Sequence, residues 1–143
     1  MLRYYIYKYY FNASHSADGG KERMHSHTFQ IALYIKQDEE KEYLFGEIDK
    51  DIKNYLSRFD GVFLPEIPEF AGTTASLEDI GEKLYDDIFK LLEDKGLWLY
   101  QLEIMDNPLR VYMVSNKIMS QSKSEEKHMQ SIEWLLERKE MMK

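Results

Sequence analysis

The sequence predicts an α+β fold: an antiparallel four-stranded sheet with two helices on one face, in the order ββααββ, followed by a C-terminal helical tail. Three observations lead there. Apolar and polar residues alternate in the first quarter of the chain, two apolar stripes at helical spacing fill the middle, and two short strand-like runs follow them. At 143 residues the chain suits one domain built around a single core.

Residues 2–12 are rich in Tyr, Ile and Phe, types that suit a pleated, half-buried surface, and predict the first strand. Asn12 to Gly20 reads as a loop. From Met24 onward His25, His27, Phe29, Ile31, Leu33 and Ile35 point one way, and Ser26, Thr28, Gln30, Tyr34 and Lys36 the other, which predicts a second strand antiparallel to the first. The charged run from Gln37 to Glu42 reads as a solvated turn. Ile48, Ile52, Tyr55, Leu56 and Phe59 then form one stripe on a first helix. Pro65 and Pro68 predict an irregular connection from about Asp60 to Ala75.

The second helix is the best-marked element. Ser76 with Asp79 fits a capping box, Leu77, Ile80, Leu84, Ile88 and Leu91 supply its core stripe, and Gly96 supplies its stop. Leu97 to Met105 reads as the third strand, and Leu109 to Ser115 as the fourth, after the turn at Asn107 and Pro108. The expected division is a domain over residues 1–118 and a charged helical tail over 119–143, where Met129, Ile132, Leu135 and Leu136 are spaced for one weakly amphipathic helix.

Composition narrows the function. A formal net charge of −7 argues against a nucleic-acid or anionic-membrane partner, both of which reward clustered Lys and Arg. With no cysteine, a disulfide framework, a thiolate metal site and a cysteine nucleophile are all excluded. The segment MLRYYIYKYYF carries Arg3 and Lys8 and does not read as a signal peptide. No run approaches the roughly 18 to 20 apolar residues that span a bilayer. A cytoplasmic protein with a small-molecule or protein partner is expected.

Three of the four histidines, His15, His25 and His27, fall within thirteen positions on the two strands expected to pair. Residues two apart on a strand share a face, so His25 and His27 can reach one ion, with His15 arriving from the neighbouring strand. Three imidazoles without a fourth protein ligand leave a coordination position open, the pattern of catalytic zinc (Zn2+). The alternative is a pair of polar residues at a sheet edge. His128, on the tail, has no partner at ligand spacing and reads as a surface residue.

Phe11-Asn12-Ala13-Ser14-His15, followed by Glu22-Arg23-Met24-His25-Ser26-His27-Thr28-Phe29, resembles the zinc signature F-x-A-A-H and H-G-H of the 6-pyruvoyl-tetrahydropterin and 6-carboxytetrahydropterin synthases. Phe45-Gly46-Glu47-Ile48-Asp49 resembles the family's opening of the first helix, and Leu77-Glu78-Asp79-Ile80 that of the second. The resemblance covers residues 1 to about 115 and implies the tunnelling fold, in which sheets of several subunits close into a barrel. It further implies a homo-oligomer, a hexamer by family habit, and pairing between subunits is one way to cover open sheet edges.

The resemblance also implies a substrate and site roles. The substrate would be 7,8-dihydroneopterin triphosphate or a related pterin, losing triphosphate with rearrangement or cleavage of its side chain. His15, His25 and His27 would be the metal ligands. The family commonly carries a catalytic cysteine where this chain has Lys21, while a variant branch carries a glutamate where this chain has Glu22. Glu22 is therefore the candidate general base, its alternative being an exposed loop glutamate. Asp60 corresponds to the acid of the family's Asp-His pair, with Gly61 in place of the histidine. Asp106, in Asp106-Asn107-Pro108, matches the substrate-gripping carboxylate. It shares strand parity with Trp98, Tyr100, Leu102 and Ile104 and is expected to point inward, unless it merely begins the turn.

Two other functions stay open. One is a non-catalytic protein that keeps fold and zinc to bind a pterin-like ligand or build an oligomeric scaffold, which Lys21 and Gly61 favour. The other is zinc hydrolysis of an unrelated small molecule, because an open three-histidine site polarises water whatever the substrate.

Overall fold

The computed structural model describes residues 3–37 and 45–116. The expected turn beyond Gln37, the expected tail helix and His128 lie outside the described residues.

The first two strands, β1 (Tyr5–His15) and β2 (His25–Lys36), form a long antiparallel hairpin running from Tyr5 opposite Ile35 to His15 opposite His25. β1 extends three residues past the expected strand end, which carries His15 onto the sheet. Tyr7, Tyr9, Phe11 and Ala13 of β1 and Phe29, Ile31, Leu33 and Ile35 of β2 turn inward and are buried.

Helix α1 (Phe45–Leu56) lays Ile48, Ile52, Tyr55 and Leu56 on that surface. Phe59, expected on the same stripe, is fully buried but sits in the turn beyond the helix. Polar contacts fix the helix in place: Tyr9 Oη donates to Asp49 at 2.6 Å, and Tyr55 Oη donates to Asp87 of the second helix. Burial and the Asp49 partner both raise the Tyr9 pKa, so this phenol stays a donor.

The connection after α1 departs from expectation. Val62–Phe63 forms a short strand, β3, parallel to β1 beside Ala13 and Ser14, so the sheet has five strands and is mixed. Gly61, at φ +74, turns the chain back onto β1, where its N–H donates to the Asn12 carbonyl at 2.6 Å. The Asp60 carboxylate accepts the Asn12 N–H at 2.8 Å. Pro65 and Pro68 then lead two single helical turns that seat Leu64 and Phe70 in the core.

Helix α2 (Leu77–Glu93) begins with the predicted capping box, both halves of which are made between Ser76 and Asp79. Its buried stripe is Ile80, Gly81, Leu84, Ile88 and Leu92, with Leu77 and Leu91 only partly buried. The fully buried residue in the last turn is thus Leu92 and not Leu91. Gly96 stops the helix at φ +76.

Strands β4 (Trp98–Asn107) and β5 (Arg110–Ser115) complete the sheet in the order β3-β1-β2-β4-β5. The element order is therefore ββαβαββ. A bulge opposite Tyr34 and Ile35 leaves Tyr100 as the extra residue in β4. The expected common parity of Trp98, Tyr100, Leu102, Ile104 and Asp106 accordingly breaks. Leu97 and Leu99 join Leu102 and Ile104 in the core, Trp98 is exposed, and Tyr100 packs with Tyr4 and Tyr34. Among the described residues, no helix is long and apolar enough to cross a membrane.

Candidate metal centre

His15 and His25 face one another across the last pair of the β1–β2 hairpin, and His27 lies two residues further along β2. All three share the inward parity of Phe11 and Phe29, at the end of the sheet where the apolar core runs out. This brings one ligand nitrogen from each ring within 4.8 Å of the others. The ring centroids stand 4.5, 5.2 and 4.7 Å apart. Phe29 presents its ring to His15 and His27 as an apolar floor.

Burial is graded: His15 is buried, His27 half-buried and His25 exposed, so the cluster opens outward on the His25 side. His15 Nδ1 lies 2.9 Å from the carbonyl oxygen of Ala75. A carbonyl only accepts, so Nδ1 carries the proton and the Nε2 lone pair is free. His25 makes a longer contact of the same kind, Nδ1 to the Arg23 carbonyl at 3.4 Å. Desolvation lowers the His27 pKa, helped by the neighbouring His15 and His25 and opposed by Asp106, and this favours the neutral, ligating imidazole.

The donor set fits a zinc ion. Three imidazoles, two of them with Nδ1 turned to backbone carbonyls, present the nitrogens and outer partners that such sites use. Ligand nitrogens around a tetrahedral zinc stand about 3.3 Å apart.

The other expected residues fall differently. Asp106 Oδ2 stands 4.0 Å from His27 Nε2, beside the cluster, while its Oδ1 accepts from the Asn107 side chain. Glu22 lies on the exposed single turn Lys21–Arg23 just before β2, outside the group of ligand atoms. Lys21 pairs with Glu66 at 3.2 Å. Asp60 is exposed, outside the cluster and engaged with Asn12. It lines an open groove of about 530 Å³ together with Lys8, Tyr10 and Lys53. Ala75 was not foreseeable as part of the site, because its contribution is a backbone carbonyl held at φ +53.

A model of the family described as 6-pyruvoyl tetrahydropterin synthase matches residues 5–117. Among solved structures, the Caenorhabditis elegans 6-pyruvoyl tetrahydropterin synthase is similar at 15% identity, with a TM-score of 0.67 over 82% of this chain and 97% of that one. An uncharacterized protein from Wolinella succinogenes is similar at 12% identity, with a TM-score of 0.64 over 82% and 99%. The Plasmodium falciparum 6-pyruvoyl tetrahydropterin synthase gives 15% identity and a TM-score of 0.54 over 80% and 97%. No curated protein sequence matches. At these identities the structural likeness is one of fold.

Proposed function

The chain belongs to the 6-pyruvoyl tetrahydropterin synthase family, and on that premise we propose that it is a zinc-dependent pterin lyase acting on 7,8-dihydroneopterin triphosphate or a related pterin. The observation that carries this reading is the convergence of His15, His25 and His27 at one end of the sheet.

In this reading the three histidines hold the zinc. When bound, the ion supplies Lewis-acid chemistry that makes substrate hydroxyls easier to deprotonate. Phe29 walls the site from the core side and limits water there. Asp106, close to His27 and only partly exposed, grips the 2-amino and N3–H edge of the pterin through two charge-assisted hydrogen bonds. Glu22 is the general base; it is exposed and lies three residues before His25. Asp60 keeps the acid of the family's proton relay. The catalytic domain spans residues 1–118, with 119–143 as an appended charged segment, and the protein works in the cytoplasm as a homo-oligomer.

A second reading keeps the fold and the metal without catalysis, as a pterin-binding or scaffold protein. The Lys21–Glu66 ion pair favours it, since it fills the place of the family's cysteine with a side chain already engaged elsewhere. Incubating zinc-loaded protein with 7,8-dihydroneopterin triphosphate and analysing the products separates the two. A new pterin with release of triphosphate, abolished in Glu22→Gln while zinc is retained, supports the lyase. No turnover above the metal-free control supports the second reading.

A further inference from the structure

The peptide unit joining Ala75 to Ser76 has two partners, one at each end. Its carbonyl accepts the Nδ1 proton of buried His15 at 2.9 Å. Its N–H, on Ser76, donates to the Asp79 carboxylate at 3.2 Å as half of the capping box of α2. A negative charge on one end of a peptide polarises it, and the carbonyl at the other end becomes a better acceptor. The capping carboxylate and the imidazole are thus linked through a single amide.

We propose that Asp79 is a positioning residue of the metal centre, acting on His15 through the Ala75–Ser76 peptide. It fixes the His15 tautomer with Nδ1 protonated and Nε2 presented to the metal. The inference rests on reading the three histidines as metal ligands. Carboxylates that hydrogen-bond directly to a ligating histidine are the ordinary outer partners of zinc sites. Here a peptide is interposed.

The surroundings hold this peptide in place. Ala75 is completely buried and left-handed at φ +53, a conformation that non-glycine residues adopt only when their surroundings enforce it. Its N–H donates to Thr73 Oγ1 at 3.1 Å, and the same hydroxyl donates to the Phe70 carbonyl at 2.9 Å. Phe70 is buried against Phe59. The left-handed turn thereby points the Ala75 carbonyl back at the end of β1 instead of along the helix. Electrostatics run the same way: the amino end of a helix is partially positive and disfavours a nearby cation, and Glu78 and Asp79 in the first turn of α2 offset it.

Two readouts test this, zinc affinity by competition with a chromophoric chelator and the His15 tautomer in metal-free protein by long-range proton–nitrogen correlation NMR. Asp79→Ala is expected to weaken zinc binding about tenfold or more and to mix the two His15 tautomers, and Asp79→Glu to restore both. Ser76→Ala removes the other half of the cap and weakens α2, yet leaves the residue-76 N–H free to donate to Asp79. It is expected to lower the unfolding temperature while affinity and tautomer stay at wild-type values. Wild-type affinity and tautomer in Asp79→Ala would overturn the proposal, as would equal changes in Ser76→Ala. If the wild type binds no zinc, the metal reading itself fails, and an unchanged tautomer in metal-free Asp79→Ala separately overturns the link to His15.

Discussion

Asp106 Oδ2 and His27 Nε2 are 4.0 Å apart, too far for a hydrogen bond, yet near enough that the carboxylate opposes the desolvation that lowers the His27 pKa. The carboxylate therefore stands beside the cluster without joining it. Asp106→Ala is expected to retain zinc and to lose pterin affinity by about tenfold or more, the worth of hydrogen bonds to a charged group. Titration of pterin fluorescence quenching together with metal analysis checks this; joint loss of zinc and pterin would make Asp106 a support of the metal instead.

Gly81 faces β4 and β5 from the buried side of α2. A Cβ there would lie 2.9 Å from the Tyr112 ring and 3.1 Å from Ile104 Cγ2. Gly81→Ala is expected to cost about 1–3 kcal/mol from overpacking, partly offset by the better helix propensity of alanine. The urea midpoint of unfolding measures it. Gly46→Ala on α1 meets nothing within 4 Å and is expected to leave stability unchanged or slightly raised.

Tyr34 and Tyr7 make stability sensitive to alkali. The hydrogen bond to Glu103, aided by burial, pushes Tyr34 up to about 12, and burial, aided by Asp49, pushes Tyr7 up to about 12. Both are raised above the unfolded value of 10.0, so the folded state holds their protons longer. Their contribution is complete below that unfolded value and is lost as pH rises through the folded one. The urea midpoint should therefore fall across this window, and Tyr34→Phe should flatten the fall. An unchanged slope in Tyr34→Phe would contradict the role given to Glu103.

Much of this was legible in the residues because periodic patterns report faces. The alternation from His25 to Ile35 placed two histidines on the inward face of one strand, and Ser76 with Asp79 marked the start of α2. What escaped was set by pairing in three dimensions. Val62–Phe63 is too short to show a period and becomes a strand only through the Gly61 turn onto β1. The extra residue Tyr100 is defined by its partners on β2, and it reverses the face of everything before it in β4. Leu91 and Leu92 are adjacent leucines whose order of burial depends on where the sheet lies beneath the last turn. Ala75 acts through its backbone, which no side-chain pattern reveals. Glu22 and Asp60 were read from motif position, and both lie outside the histidine cluster.

Zinc content of the purified protein tests the central claim most directly, measured by elemental mass spectrometry on wild type and on His25→Ala. His25 is the most exposed of the three, so its loss disturbs packing least. One zinc per chain in the wild type, lost in His25→Ala with the fold retained, is the expected result. A wild type that takes up no zinc after metal loading, or a variant that binds it equally well, would contradict the three-histidine centre.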